Sequence, residues 1–200
     1  EDYIPLAFQY AHEADPSIEL YYNDYSMYMP AKIKGVCDYF RPLINKGLPI
    51  TAIGMQGHMM MTDGYGQIAN YEKSIKMIAS LGLPCFFSEL DLSALPNPYN
   101  HHGANISDAF ALTPESNPYT KGLPAKVQEQ WDDFWVEFYK MLLRNKEHVQ
   151  RVGFWCFNDL SSWRNDWPIK GRTEYGTFFD RDSKAKPVIK KLVELVNNKK

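Results

Sequence analysis

Short apolar runs of five or six residues alternate along this chain with longer segments whose apolar residues recur every three or four positions. That alternation predicts strands and amphipathic helices taking turns. Residues 1–14 read as a helix with Ile4, Leu6, Phe8 and Ala11 on its apolar side. Asp15-Pro16 stops it, because the residue before proline avoids the helical region. Residues 18–22 form a short aromatic strand. Pro30 suits a helix start, and residues 31–45 run as a helix closed by Gly47. Residues 50–55 are a second strand. Residues 67–80 are the next helix, where Ile68, Tyr71, Ile75 and Ile78 share one face. Residues 84–88 form a third strand without polar alternation, as when both faces are covered. Residues 125–147 carry the strongest helical pattern, with Val127, Trp131, Phe134, Phe138, Met141 and Leu142 inward. Residues 152–157 are the fourth strand, and Pro187 opens a closing helix with Leu192, Leu195 and Val196 inward.

This order predicts an α/β fold with a parallel sheet and right-handed crossovers. One helix followed by four strand–helix units amounts to the C-terminal half of a (β/α)8 barrel. A small open α/β sheet competes with it. No glycine-rich phosphate loop follows any strand, which argues against a nucleotide-binding version.

Charge narrows the partners. Net charge is −2, and no basic run appears before the terminal Asn197-Asn198-Lys199-Lys200, so nucleic acid is not an expected partner. No apolar run approaches the roughly 20 residues of a membrane helix. The sequence opens at Glu1 without Met or a signal-like segment, which fits a mature form, a processed piece or an expression fragment. Cys37, Cys85 and Cys156 lie far apart in apolar stretches and read as buried free thiols. Their spacing offers no metal site, and no cofactor is expected. Aromatic residues make up 14% of the chain, enough to fill a core and to line a cleft for sugars, whose apolar faces meet flat rings.

In barrels of this kind the active site forms at the carboxyl ends of the strands. Those ends read Asn23-Asp24-Tyr25, Gln56-Gly57-His58, Glu89-Leu90-Asp91 and Trp155-Cys156-Phe157-Asn158-Asp159. Each turns polar or aromatic directly after an apolar run. Strand parity pairs Asn23 with Tyr25, Gln56 with His58, and Glu89 with Asp91. A carboxylate among amide and imidazole donors stays ionised at neutral pH, as a nucleophile toward an anomeric carbon must.

Leu20-Tyr21-Tyr22-Asn23-Asp24-Tyr25, Ile53-Gly54-Met55-Gln56-Gly57-His58, Ser88-Glu89-Leu90-Asp91, and Phe154-Trp155 with Trp163 eight residues on resemble glycoside hydrolase family ten, the endo-1,4-β-xylanases. The resemblance covers nearly the whole chain in order. It implies Glu89 as the nucleophile, at the end of the seventh barrel strand. It implies His58 hydrogen-bonded to that carboxylate and Asp91 holding His58. Asn23, Tyr25 and Gln56 would contact the sugar beside the scissile bond, and Trp155 and Trp163 would wall the xylose sites on the nonreducing side. The implied partner is xylan or xylo-oligosaccharide, and the implied location is secreted or cell-envelope. Three positions depart from the family pattern: Gly57 where Ser is frequent, Ser26 where Asn is common, and Leu160 where Lys is common. A cellulase of a related barrel family keeps the Glu but explains Gln-Gly-His less well.

A retaining glycosidase needs two carboxyls about 5–5.5 Å apart. The family's acid/base sits in a Trp–Asn–Glu context, and nothing in this sequence matches it. The isolated chain is therefore expected to be inactive or very weak. An open half-barrel exposes edges and an apolar interior, so the first half of the barrel, or a self-paired second copy, is expected to cover it. The alternative is a noncatalytic xylan-binding or vestigial half-barrel. The long stretch over residues 92–124 reads as a rim loop or an insertion shaping the cleft, and its His101-His102 is not a metal site on its own. Trp131 and Trp135 read as packing; Asp132, Asp133 and Glu137 as that helix's solvated face. Asp63 and Asp159 are loop acids without an assigned role.

Overall fold

The computed structural model describes residues 3–100, 103 and 105–197. The helices are α1 (Tyr3–Ala14), α2 (Pro30–Asn45), α3 (Gly66–Ala79), α4 (Ala125–Arg144) and α5 (Val188–Asn197). The strands are β1 (Tyr21–Asp24), β2 (Ala52–Met55), β3 (His58–Met60), β4 (Cys85–Ser93) and β5 (Val149–Phe154). Every strand pairing is parallel, with β2 beside β1, β4 beside β2, and β5 beside β4. Consecutive strands joined through helices keep chain order across the sheet, the arrangement of half a (β/α)8 barrel.

β3 has no counterpart in the sequence reading. It continues the line of β2 after a kink at Gly57 and pairs with the far half of β4, His58 opposite Asp91. Gly57 has φ +90°, a region L side chains rarely adopt, and a Cβ there would lie 2.5 Å from Leu90 Cδ2. Glycine rather than serine at this position follows from that backbone.

The bounds of all four strands read from sequence move, β2 spanning 52–55 rather than 50–55. β1 spans 21–24 rather than 18–22, because the turn after Asp15-Pro16 leaves Ile18 exposed. β4 does not stop at Ser88; it runs on to Ser93, with its register to β5 shifting between Phe87 and Leu90. β5 spans 149–154 rather than 152–157, and at Cys156 the chain turns away with φ 84°. Cys37 and Cys85 are buried, whereas Cys156 is half-buried in that turn.

The sheet has two unlike faces. Ile53, Met55 and Phe87 point to the helices and are fully buried. Phe87 meets Tyr71 of α3 and Phe138 of α4 edge-on at 5.3 Å each, and Tyr22 meets Phe40 of α2 at 4.9 Å. Trp131 and Trp135 are fully buried and continue this layer. The helix ends carry less: in α1 Phe8 is buried but Leu6 is exposed, and in α5 Val196 is exposed. On the opposite face Tyr21 and Phe86 touch at 4.8 Å, Arg151 sits over Phe86 at 4.9 Å, and Asn23 accepts a hydrogen bond from Ser88 (3.0 Å). No helix among the described residues covers that face, and Arg151 is exposed on it.

One acid corrects the sequence reading, and a second, left without a role there, gains one. Asp132 is buried, not solvated; it accepts from Gln128 (2.8 Å) and pairs with Lys191 of α5 (3.4 Å). Asp159 is buried as well. Lys186 lies 2.7 Å from it, with the Thr177 backbone N–H at 3.0 Å, which ties the turn after β5 to the start of α5. Burial pushes the Asp159 carboxyl up and the Lys186 ammonium down, against their mutual attraction.

Two outcomes follow from this packing. Phe138→Ala removes a ring shared by α4 and β4 and is expected to cost about 3–5 kcal/mol, read by urea denaturation of the chain. Glu72 of α3 receives both Nε (3.0 Å) and Nη2 (2.6 Å) of Arg144 on α4. Those hydrogen bonds, opposed by burial and aided by Asn145 and Lys76, hold its carboxyl down at about 2. A lowered folded pKa means stability present above the ordinary Glu range, near about 4.3, and lost as pH falls toward about 2. Because Arg144 is half-exposed, Glu72→Gln should cost only about 1 kcal/mol at neutral pH. Wild type and variant should converge in acid denaturant titrations.

Candidate active site

β3 and β4 build the centre. Their register sets His58 beside Asp91, and the two-residue period places Glu89 on the same side of β4. The Glu89 backbone N–H donates to the Gln56 carbonyl (2.8 Å), which locks the irregular stretch of β4 to the end of β2. The imidazole then stands between two carboxylates: Nδ1 lies 3.0 Å from Asp91 Oδ2, and Nε2 lies 3.3 Å from Glu89 Oε2.

Asp91 is fully buried and fully engaged. Besides His58, its Oδ2 accepts from the Trp163 indole N–H (2.7 Å), while Oδ1 accepts from Nε of Arg164 (3.1 Å), whose Nη2 completes the ion pair at 3.1 Å. Burial alone would push this carboxyl up; Arg164 and His58, with the hydrogen bonds of His58 and Trp163, outweigh it and hold it below the usual carboxylate range. Arg164 is buried too. Burial disfavours its charge, and Asp91 and Glu174 more than restore it. Glu174 accepts from Ser93 Oγ (2.8 Å), and burial pushes its carboxyl up.

In front of this cluster lies a cleft of about 320 Å³. Of the residues singled out from sequence, Tyr25, Gln56, His58, Glu89, Trp155 and Trp163 line it. Asp91 stands behind His58. Asn23 is separate, on the uncovered sheet face against Ser88. Trp155 is 46% exposed, so its face is open to a ligand. Trp163 stacks on Trp167 at 5.1 Å and meets the His58 ring at 4.9 Å.

The long connection between β4 and α4 forms the other wall through Asn97, Tyr99, Ile106 and Phe110. Buried Arg172 pins it, donating to the carbonyls of Pro96 (2.7 Å) and Ser116 (3.0 Å), and Phe110 N–H donates to Pro168 (2.9 Å). His101-His102 lies outside the described residues. Among the described residues no three His, Cys, Asp or Glu side chains are placed to hold a metal ion.

The acids at the strand ends differ in one respect. Asp24 pairs with Lys32 (2.9 Å), Asp91 with Arg164, and Asp159 with Lys186. Glu89 faces the cleft with His58 as its ionic neighbour and is the one carboxylate among the described lining residues. Arg164, Arg172 and Glu174 went unnoticed in the sequence. Nothing local marks a buried arginine from an exposed one; the sole hint for Arg164 was its place after Trp163.

The profile of Glycosyl hydrolase family 10 matches residues 1–195. The chain belongs to that family. Among its family 10 relatives, endo-1,4-beta-xylanase A of Xylanibacter ruminicola is 43% identical over 194 residues, covering 97% of this chain and 52% of the relative. Endo-1,4-beta-xylanase A of Caldicellulosiruptor saccharolyticus is 31% identical, covering 96% of this chain and 52% of the relative. A family 10 endoxylanase from a sugarcane soil metagenome superimposes with a TM-score of 0.92 at 36% identity, over 98% of this chain and 56% of that one. The chain thus spans about half the length of the family 10 relatives it matches.

The Asp91 cluster has a measurable cost of disruption. Asp91→Ala leaves Arg164 buried without its anion and is expected to lower stability by about 3–5 kcal/mol in urea denaturation.

Proposed function

We propose that this chain is the nucleophile-bearing half of a retaining endo-1,4-β-xylanase. The observation that carries the reading is Glu89: a cleft carboxylate without a lysine or arginine partner, set against His58 and walled by indoles, in a family 10 chain. In this reading Glu89 attacks the anomeric carbon as the leaving oxygen takes a proton, and water then hydrolyses the glycosyl–enzyme bond. His58 occupies Oε2 and leaves Oε1 for the new bond. With both ring nitrogens against carboxylates, His58 donates at both only as an imidazolium. In the neutral form a donor at Nδ1 toward Asp91 leaves a lone pair facing Glu89. Tyr25, Gln56 and Asn23 serve as sugar contacts, and Trp155 and Trp163 as flat walls for xylose rings.

The second carboxyl, about 5–5.5 Å from Glu89, comes in this reading from the half of the barrel that covers the open sheet face. That half also covers the exposed Asn23 and Arg151 on that face. In a barrel completed with it, Glu89→Ala is expected to abolish xylan hydrolysis, with azide restoring turnover of an activated aryl xyloside as the glycosyl azide. Full hydrolysis by the alanine variant sinks the nucleophile role.

A second reading, a noncatalytic xylan-binding half-barrel, draws on the single carboxylate among the described cleft residues and on the open face of Trp155. Xylan hydrolysis by the chain alone and with the remaining half separates the two. Binding without turnover in both favours the second.

A further inference from the structure

Two residues that line the cleft, His58 and Trp163, hang on one oxygen of a carboxylate that does not line it. Asp91 Oδ2 meets His58 Nδ1 at 3.0 Å and the Trp163 indole nitrogen at 2.7 Å. The rotation of that carboxylate therefore aims both rings. Left alone, a carboxylate turns in a broad, roughly two-fold well about its terminal bond. Here the second oxygen is held. Nε and Nη2 of Arg164 both reach Oδ1, at 3.1 Å each.

Arg164 is itself held from several sides. It is buried, shares a single helical turn with Trp163, and lies 5.0 Å from the Trp163 ring centre. The guanidinium is thus fixed between the Asp91 carboxylate and the Trp163 ring.

The geometry points to Arg164 as a positioning residue of this site. By holding Oδ1 through the Nε hydrogen bond and the Nη2 ion-pair contact it sets the rotation of Asp91, which presents Oδ2 to His58 and Trp163 together. One buried fork then couples the neighbour of Glu89 to an aromatic wall of the cleft. Charge alone does not do this. A lysine at 164 would neutralise Asp91 as a point charge without fixing its rotation. The functional meaning of the coupling rests on the hydrolase reading above; the coupling itself does not.

The test reads ring protons rather than turnover, so it fails separately from that reading. In 1H–15N spectra of the 200-residue chain, Arg164→Lys is expected to speed solvent exchange of the Trp163 Nε1–H roughly tenfold and to broaden the His58 Nδ1–H signal. The Trp131 Nε1–H, bonded to the Leu92 carbonyl (2.8 Å), should keep its rate and serves as the fold control. Equal acceleration at Trp131 and Trp163 means general loosening and overturns the proposal. So does an unchanged Trp163. If the lysine variant does not fold, the wild-type chain decides. In it the Arg164 Nε–H and the Trp163 Nε1–H should exchange with solvent at one rate, since both are held by the same carboxylate. An Arg164 Nε–H that exchanges freely while the Trp163 Nε1–H stays protected overturns the proposal.

Discussion

The site depends on one buried carboxylate. Asp91 has no contact with water, and its two oxygens accept from His58, Trp163 and Arg164. An ionised carboxyl in that position is tolerable only because a buried guanidinium pairs with it and donated hydrogen bonds reach both of its oxygens. Remove any donor and the others lose their shared reference. β4 supplies Asp91, β3 supplies His58, and the turn after β5 supplies Trp163 and Arg164, so three separate stretches of chain meet on two oxygen atoms.

The same logic runs through the rest of the strand-end surface. Asp24 is taken by Lys32, Asp159 by Lys186, and Glu174 by hydrogen bonds beside Arg164. Each such pairing anchors a loop. Lys186 and Asp159 tie the turn after β5 to α5, and Arg172 staples the long connection onto the cleft through two carbonyls. What remains is a cleft whose one carboxylate among the described lining residues, Glu89, has His58 rather than a lysine or arginine as its ionic neighbour. Beneath it the sheet has two unlike faces: one is packed against helices, while on the other Asn23 and Arg151 are exposed and Phe86 is buried against Tyr21 and Arg151. A face like that is the interior of a barrel, and it matches a chain about half the length of its relatives.

Much of the fold was legible because periodicity is local. Ile68, Tyr71, Ile75 and Ile78 announce the buried face of α3, and all four are buried. The gathering of Tyr25, Gln56, His58 and Glu89 in one cleft was also legible, since each follows an apolar strand and strand ends of a parallel sheet converge. β3 was not. A three-residue strand after a glycine kink has no period to read, and its partner lies on the far half of β4. Nor was the length of β4, because Glu89 and Asp91 look like a strand's polar end while the backbone pairs on to Ser93. Asp132 was misread for a related reason: a helix period assigns faces but cannot see Lys191 arriving from α5.

By itself the sequence determined the class of fold, the helix faces and the chemical groups available at the strand ends, because those rest on spacing along the chain and on residue type. The tertiary structure alone decided which cleft acid has only a histidine as its ionic neighbour and which arginine is buried. It also decided that Trp163 is at once a wall of the cleft and a donor to Asp91. Those outcomes depend on residues 33 and 72 positions apart meeting within 3.0 Å and 2.7 Å. At such ranges energies are set by burial and geometry, which no local pattern encodes.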